Sequence, residues 1–295
     1  MSDGKGLVNL GDLSKPATVL IEKISDAVGG IAKPWQIRRV AQAEADASII
    51  EANALVQVSE IEQRALVRMV REEGQKQENI ENITAKAIPH LSQDAQPDHI
   101  EKDWLTHFFD RSRLVSDDEM QSLWANVLAG QANKPGSFSK RTVELVSTLD
   151  KTDAQLFTKF CTFAWMVGDL TPLIFDEQNE IYNCMGINFP SLTHLDDIGL
   201  ISFNNLSGFE KRGFGKYVTI FYYGRAINIE FPQDSNVFPL GKILLTRAGQ
   251  ELAPICGSTP SDNYFSYVLT EWQKRGYILS SPLTSIVGRN NWTAT

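Results

Sequence analysis

The chain has 295 residues, 42% of them hydrophobic and 22% charged, enough for about two domains with sizeable cores. Its 28 Lys+Arg against 36 Asp+Glu leave a formal charge of -8, which excludes nucleic-acid binding by the field of the whole chain and leaves only a local basic patch. The three cysteines, Cys161, Cys184 and Cys256, lie far apart without a CxxC pair. They encode neither a disulfide framework nor a zinc ribbon, and predict reduced, buried thiols.

The first fifteen residues lack an apolar h-region and a small-residue cleavage site, and no run of about 20 uncharged apolar residues follows. A cytoplasmic chain is expected, with at most a peripheral contact at the inner membrane. Pro16 to Lys33 reads as a short amphipathic helix carrying Leu20, Ile24, Val28 and Ile31 opposite Glu22, Lys23 and Asp26. Flanking Lys15, Lys33, Arg38 and Arg39 beside Trp35 complete the pattern of a helix that rests on a membrane or a partner. The same face serves a helix docked on its own protein or a neighbouring subunit, which its two acids and short length favour.

From Gln36 to about Lys86 there is no Pro, and Gly74 is the only Gly, among many strong helix formers. One long helix is predicted, with a narrow stripe at Val40, Ala43, Ala47, Ile50, Ala54, Val58, Ile61, Ala65 and Met69. At about 1.5 Å per residue it is too long to bury that stripe on one domain, so a partner helix in a homo-oligomer is expected.

Two prolines, Pro89 and Pro97, bracket a polar linker. His99, Asp103 and His107 would share a face on a continuous helix, but the His-Glu-x-x-His order of a zinc hydrolase is absent. An inward face of Trp104, Leu105, Phe108 and Phe109 is the better reading. Ser116 to Glu119 forms a capping box for MQSLWANVLAG with Gly130 as its stop. Ser137 or Ser139 caps a helix burying Val143, Leu145, Val146 and Leu149, and a third helix starts at Thr152. Together these predict a helical bundle over 97–170.

From about Thr171 the residues turn β-branched and aromatic. Helix, Asp197-Ile198-Gly199-Leu200-Ile201, hairpin and then LTRAGQELAPI is the order of a winged-helix module. Lys211, Arg212, Lys216 and Arg225 around the hairpin are the candidate nucleic-acid contacts, with Phe214, Tyr217 and Tyr223 free to stack. Nucleic acid is not the favoured partner, because four cations give modest affinity at physiological salt. No P-loop, GxGxxG or GxSxG occurs, so no cofactor and no catalytic residues are predicted.

The N-terminal LSKPATVLIEKISDAVGGIAKPWQIRRVAQAEADA, with DWLTHFFDRSRLVSDDEMQSLWANVLAG and PGSFSKRT, resembles an uncharacterised bacterial family, one of the domains of unknown function. The resemblance covers residues 13–160 best. It implies no reaction, and it sets the chain beside bacterial proteins associated with abortive infection and phage defence. The expected fold is mainly α with a smaller α+β part. It comprises an amphipathic segment (1–34), a long coiled-coil-like helix (35–88), a helical bundle (97–170) and a winged-helix-like domain (171–295). The expected function is a non-enzymatic, self-assembling scaffold or sensor; the alternative is a dimeric DNA-binding regulator using the C-terminal module.

Overall fold

The computed structural model describes residues 14–29, 60–234 and 236–281. Helix dominates, and strand is confined to small antiparallel sheets. The chain divides into two compact units, 1–147 and 148–295.

In the first unit, α1 (Lys15–Val28) starts at Ser14, whose hydroxyl accepts from Ala17 N at 3.4 Å, and ends at Gly29 in the left-handed conformation. Its face of Ala17, Leu20 and Ile24 is fully buried against α3 (Lys102–Ser112) and the Pro97–His99 turn. The helix α2 (Glu60–Ala87) lies on α4 (Asp118–Asn133) through Asn79, Ile80, Ile83, Thr84 and Ala87. A buried polar network fixes that docking. Asn79 Nδ2 donates to the Arg113 carbonyl at 2.8 Å, and Gln121 Nε2 donates to Asn79 Oδ1 at 3.2 Å and to the Val115 carbonyl at 2.9 Å.

The aromatic face of α3 packs as predicted, with Phe108 edge-on to Trp124 of α4 at 5.1 Å and Trp104 Nε1 donating to the Phe138 carbonyl at 2.8 Å. The cap of α4 is Asp117, which accepts from Glu119 N and Met120 N. Gly130 is no stop. The helix runs on to Asn133, and a β-carbon at Gly130 would meet the ring of Phe138, so this glycine marks a close approach. The next helix, α5 (Lys140–Thr148), buries Val143 and Val146.

The division between units falls at the end of α5, at 147/148 rather than near residue 170. The predicted third bundle helix, α6 (Lys151–Cys161), therefore belongs to the second unit. Its cap is an Asp150/Asp153 box, not Thr152. The composition shift near 171 marks where strand begins, whereas the unit boundary follows packing.

The second unit is built on a five-stranded antiparallel sheet in the order β2 (Asp169–Pro172), β1 (Ala164–Val167), β5 (Tyr217–Tyr222), β6 (Arg225–Glu230), β9 (Ile278–Ser280). Alternation on β5 sends Ile220 and Tyr222 inward and Tyr217, Thr219 and Phe221 outward. The inner face meets α10 (Asp262–Lys274), whose Tyr264, Val268 and Trp272 recur every fourth residue and are fully buried. Trp165 of β1 lies edge-on to Trp272 at 4.9 Å and donates its Nε1 proton to Tyr264 Oη at 3.2 Å.

Two further ribbons complete this unit: β3 (Ile201–Phe203) with β8 (Ile243–Leu245), and β4 (Phe209–Phe214) with β7 (Asn236–Gly241). The short helices α7 (Glu180–Asn183) and α8 (Phe189–Asp197) precede β3, and α9 (Arg247–Leu252) follows β8. The Gly213–Gly215 turn leads from β4 into β5, yet these strands do not pair with each other. Instead β4 pairs with β7, and the β5–β6 hairpin between them joins the large sheet.

Candidate functional site

The predicted assembly stripe falls partly within the described residues. Ile61, Ala65 and Met69 lie on the first turns of α2 and are exposed, Ile61 at 70% and Met69 at 53%. Val40, Ala43, Ala47, Ile50, Ala54 and Val58 lie outside the described residues. At 3.6 residues per turn, Asn79, Ile83 and Ala87 sit about five turns beyond Ile61, Ala65 and Met69 and on the same side of the helix. One face of α2 is therefore buried against α4 at its C-terminal end and bare at its N-terminal end.

Of the readings of the first helix, docking on its own protein is the one the described residues show. Leu20 and Ile24 are fully buried on α3 and the Pro97–His99 turn of their own unit, and Val28 is half-buried. Two strong apolar side chains in one turn-spaced pair find a ready groove beside the aromatic α3. Ile31 and Trp35 lie outside the described residues. No described helix is long and apolar enough to cross a membrane.

The four candidate nucleic-acid cations come to one unit, but each meets an internal acceptor. Lys211 Nζ donates to the Val167 carbonyl at 2.8 Å, Arg212 pairs with Glu210, Lys216 with Glu230 at 3.3 Å and Arg225 with Asp262 at 2.5 Å. The Glu230 carboxylate raises the Lys216 pKa. Arg225 also lies over the Phe265 ring at 5.2 Å. The chain has no Lys or Arg between Lys159 and Lys211, so α7 and α8 carry none. The exposed residues of α8 are Phe189, Pro190, His194, Asp196 and Asp197, and His194 Nε2 meets Asp153 Oδ1 at 2.6 Å.

His99, Asp103 and His107 do not form one face, because His99 lies in the Pro97–His99 turn that precedes α3. His99 contacts Gln96 and Asp98, and His107 lies 3.4 Å from Glu144. Among the described residues no three His, Cys, Asp or Glu side chains converge as a metal requires.

An open cleft of about 490 Å³ lies beside β4 and β7, lined by Phe175, Gly208, Glu210, Pro239, Lys242 and Arg275. Its cations are engaged within the protein. Lys242 Nζ is 2.7 Å from buried Glu177, and the Arg275 guanidinium lies 4.9 Å from the Phe175 ring centre. Burial raises the Glu177 pKa, but the Lys242 ammonium outweighs it, leaving the carboxyl below its ordinary range.

Sequence reasoning treats the cysteines separately and misses that Cys161 and Cys256 meet. Cys161 ends α6 and is buried, Cys256 follows α9 and is partly exposed, and Cys184 is exposed. Thr158 of α6 donates to the Cys256 carbonyl at 2.9 Å, and the Tyr223 phenol bridges the Cys161 carbonyl and the Ser258 hydroxyl, which brings the two cysteines together. A separation of 95 positions, with no shared motif, leaves no local signal for this contact.

The described residues thus define a mainly helical protein with a smaller α+β part. Residues 63–269 match the family described as "Protein of unknown function (DUF2806)"; the chain belongs to that family. No curated protein and no solved structure matches the chain.

Proposed function

We propose that this chain is a non-enzymatic scaffold or sensor that assembles with copies of itself through α2. The bare stripe of Ile61, Ala65 and Met69, in line with the buried face of the same helix, carries the reading. A helix face that is largely apolar where it docks, and stays apolar where no described residue covers it, is suited to a second surface. The upstream sequence continues the stripe with small residues, Ala43, Ala47 and Ala54, and small side chains let two helices approach closely. A second copy, carrying the same stripe, is the partner that fits.

The C-terminal unit has a place in this reading. The run α8, β3 and, after the β4–β7 ribbon and the β5–β6 hairpin, β8 and α9 supports a winged-helix-like reading in which α8 takes the place of a DNA-reading helix. An acidic, aromatic α8 suits a protein partner rather than a phosphate backbone. The resemblance of residues 13–160 supplies the setting, bacterial defence against phage.

The test is the solution mass by light scattering of the intact chain and of an Ile61→Glu/Met69→Glu variant. Both positions are exposed in the single chain, so the fold of each copy is expected to survive, with thermal stability lowered only by the loss of the association itself. An oligomeric wild type and a monomeric variant support the reading; a monomeric wild type, or a variant that keeps its mass, overturns it.

A further inference from the structure

The end of α6 and the loop after α9 are held together at several points around the two thiols. Thr158, one turn before Cys161 on α6, places Oγ1 2.9 Å from both the Ala154 and the Cys256 carbonyl oxygens and shares its proton between them. The Tyr223 phenol hydrogen-bonds both the Cys161 carbonyl, at 3.2 Å, and the Ser258 hydroxyl, at 2.6 Å. These clamps bring Cys161 and Cys256 together, with the Cys256 thiol donating to the Ala253 carbonyl at 3.1 Å. Cys161 is buried and Cys256 is partly exposed, so a small reagent from solvent reaches Cys256 first.

We infer that Cys161 and Cys256 are a peroxide-responsive pair, Cys256 the attacking thiol and Cys161 the resolving one, that closes a disulfide between α6 and the loop after α9. Their surroundings divide the protons accordingly. Hydrogen bonding from the Cys161 thiol lowers the Cys256 pKa to about 7 against the opposing effect of burial, helped by the backbone N–H and hydroxyl of Ser258. Burial drives Cys161 the other way, well above the ordinary thiol range. The other titratable group facing the pair, Tyr223, is raised by burial and stays neutral. Cys256 is thus the more readily ionised of the two, once its thiol releases the Ala253 carbonyl to which it donates at 3.1 Å.

The chemistry balances with a hydroperoxide as the named oxidant. The Cys256 thiolate attacks one peroxide oxygen, the O–O bond breaks, and Cys256 becomes a sulfenic acid as hydroxide leaves. The Cys161 sulfur then displaces the sulfenic oxygen, which departs as water with the Cys161 proton, and the S–S bond forms. The two sulfurs give up two electrons in all, and one peroxide becomes two waters once the hydroxide takes up the proton lost when Cys256 ionised.

The experiment treats the full chain with one to two equivalents of hydrogen peroxide, alkylates residual thiols and maps the peptides by mass spectrometry without reduction. The expected product is lighter by two hydrogens, links the peptides of Cys161 and Cys256, leaves Cys184 alkylated, and reverts with dithiothreitol. Its formation rate should rise through pH about 7 and level off near pH 8, below the range of about 8.5 for a free thiol. Cys256→Ser should abolish the link, and Cys161→Ser should halt at a sulfenic acid captured by dimedone. The wild-type map decides even if the buried Cys161→Ser variant does not fold. A link through Cys184, oxidation of Cys256 without a link, or no reaction overturns the inference.

Discussion

At Gly249 the second unit has no room for a side chain. Thr246 caps α9 by accepting from Gly249 N at 3.2 Å, and its own hydroxyl donates to the Gly199 carbonyl at 2.7 Å. This draws the first turn of α9 onto the chain that leaves α8, where a β-carbon at Gly249 would land on the Leu200 carbonyl oxygen. The Thr-Arg-Ala-Gly run is thus a cap and a close approach in one turn, and the Asp197-Ile198-Gly199-Leu200 step supplies the surface it meets. Gly249→Ala is expected to destabilise the second unit by about 3 kcal/mol or more, since backbone rather than a flexible side chain must yield. Urea unfolding followed by tryptophan fluorescence measures it; an unchanged midpoint would refute the close approach. In the sequence the LTRAGQELAPI run is legible only as the stretch that follows the hairpin; neither the cap at Thr246 nor the close approach at Gly249 is visible there. The same lesson comes from Gly130, whose position after an apolar run reads as a stop although Phe138 needs its bare surface. A glycine that serves packing and one that serves a turn look alike until the neighbour eight residues on is placed.

At the scale of elements, periodicity finds helices well and identifies their partners poorly. The spacing of Leu20 and Ile24 marks a buried face on α1, and α3 shows its aromatic stripe from Trp104 to Phe109, because both signals are local. That α1 buries its face on α3 depends on residues some eighty positions away, and no spacing encodes it. The same holds for Asn79 and Gln121, polar side chains in helical runs that read as surface and are 2% and 4% exposed. They escape notice because each is satisfied by the other and by backbone carbonyls near Arg113. The docking of α1 has a measurable cost. Ile24→Ala removes a fully buried side chain and should lower the stability of the first unit by about 2–4 kcal/mol, with faster amide exchange across residues 14–29. If stability and exchange stay as in the wild type, that face is not packed on its own unit.

For the whole molecule, the net charge of -8 could hide a basic face, so the sum alone does not settle what the chain attracts. Placement of the charges does more. Each cation around the β4–β7 ribbon has an acceptor, two of them cross-strand or sequence neighbours, Glu230 and Glu210, and a third, Asp262, from α10. The sequence exposes the lysines and arginines but not these pairings, since Arg225 and Asp262 meet only once α10 lies across the sheet. A cation already paired with a carboxylate releases few counterions on meeting a phosphate, and counterion release supplies most of non-specific DNA affinity. The α8 helix adds Asp196 and Asp197, which repel the backbone they would have to approach. Binding to duplex DNA, followed by fluorescence anisotropy at about 0.15 M salt, is therefore expected to be weaker than about 10⁻⁴ M, the weak end of non-specific binding. Reversing Lys211 and Arg212 to Glu should leave the titration unchanged. Tighter binding that weakens steeply with salt and is lost on that reversal would instead establish the C-terminal unit as a DNA reader, with Glu210 and the Val167 carbonyl giving up their cations to phosphate.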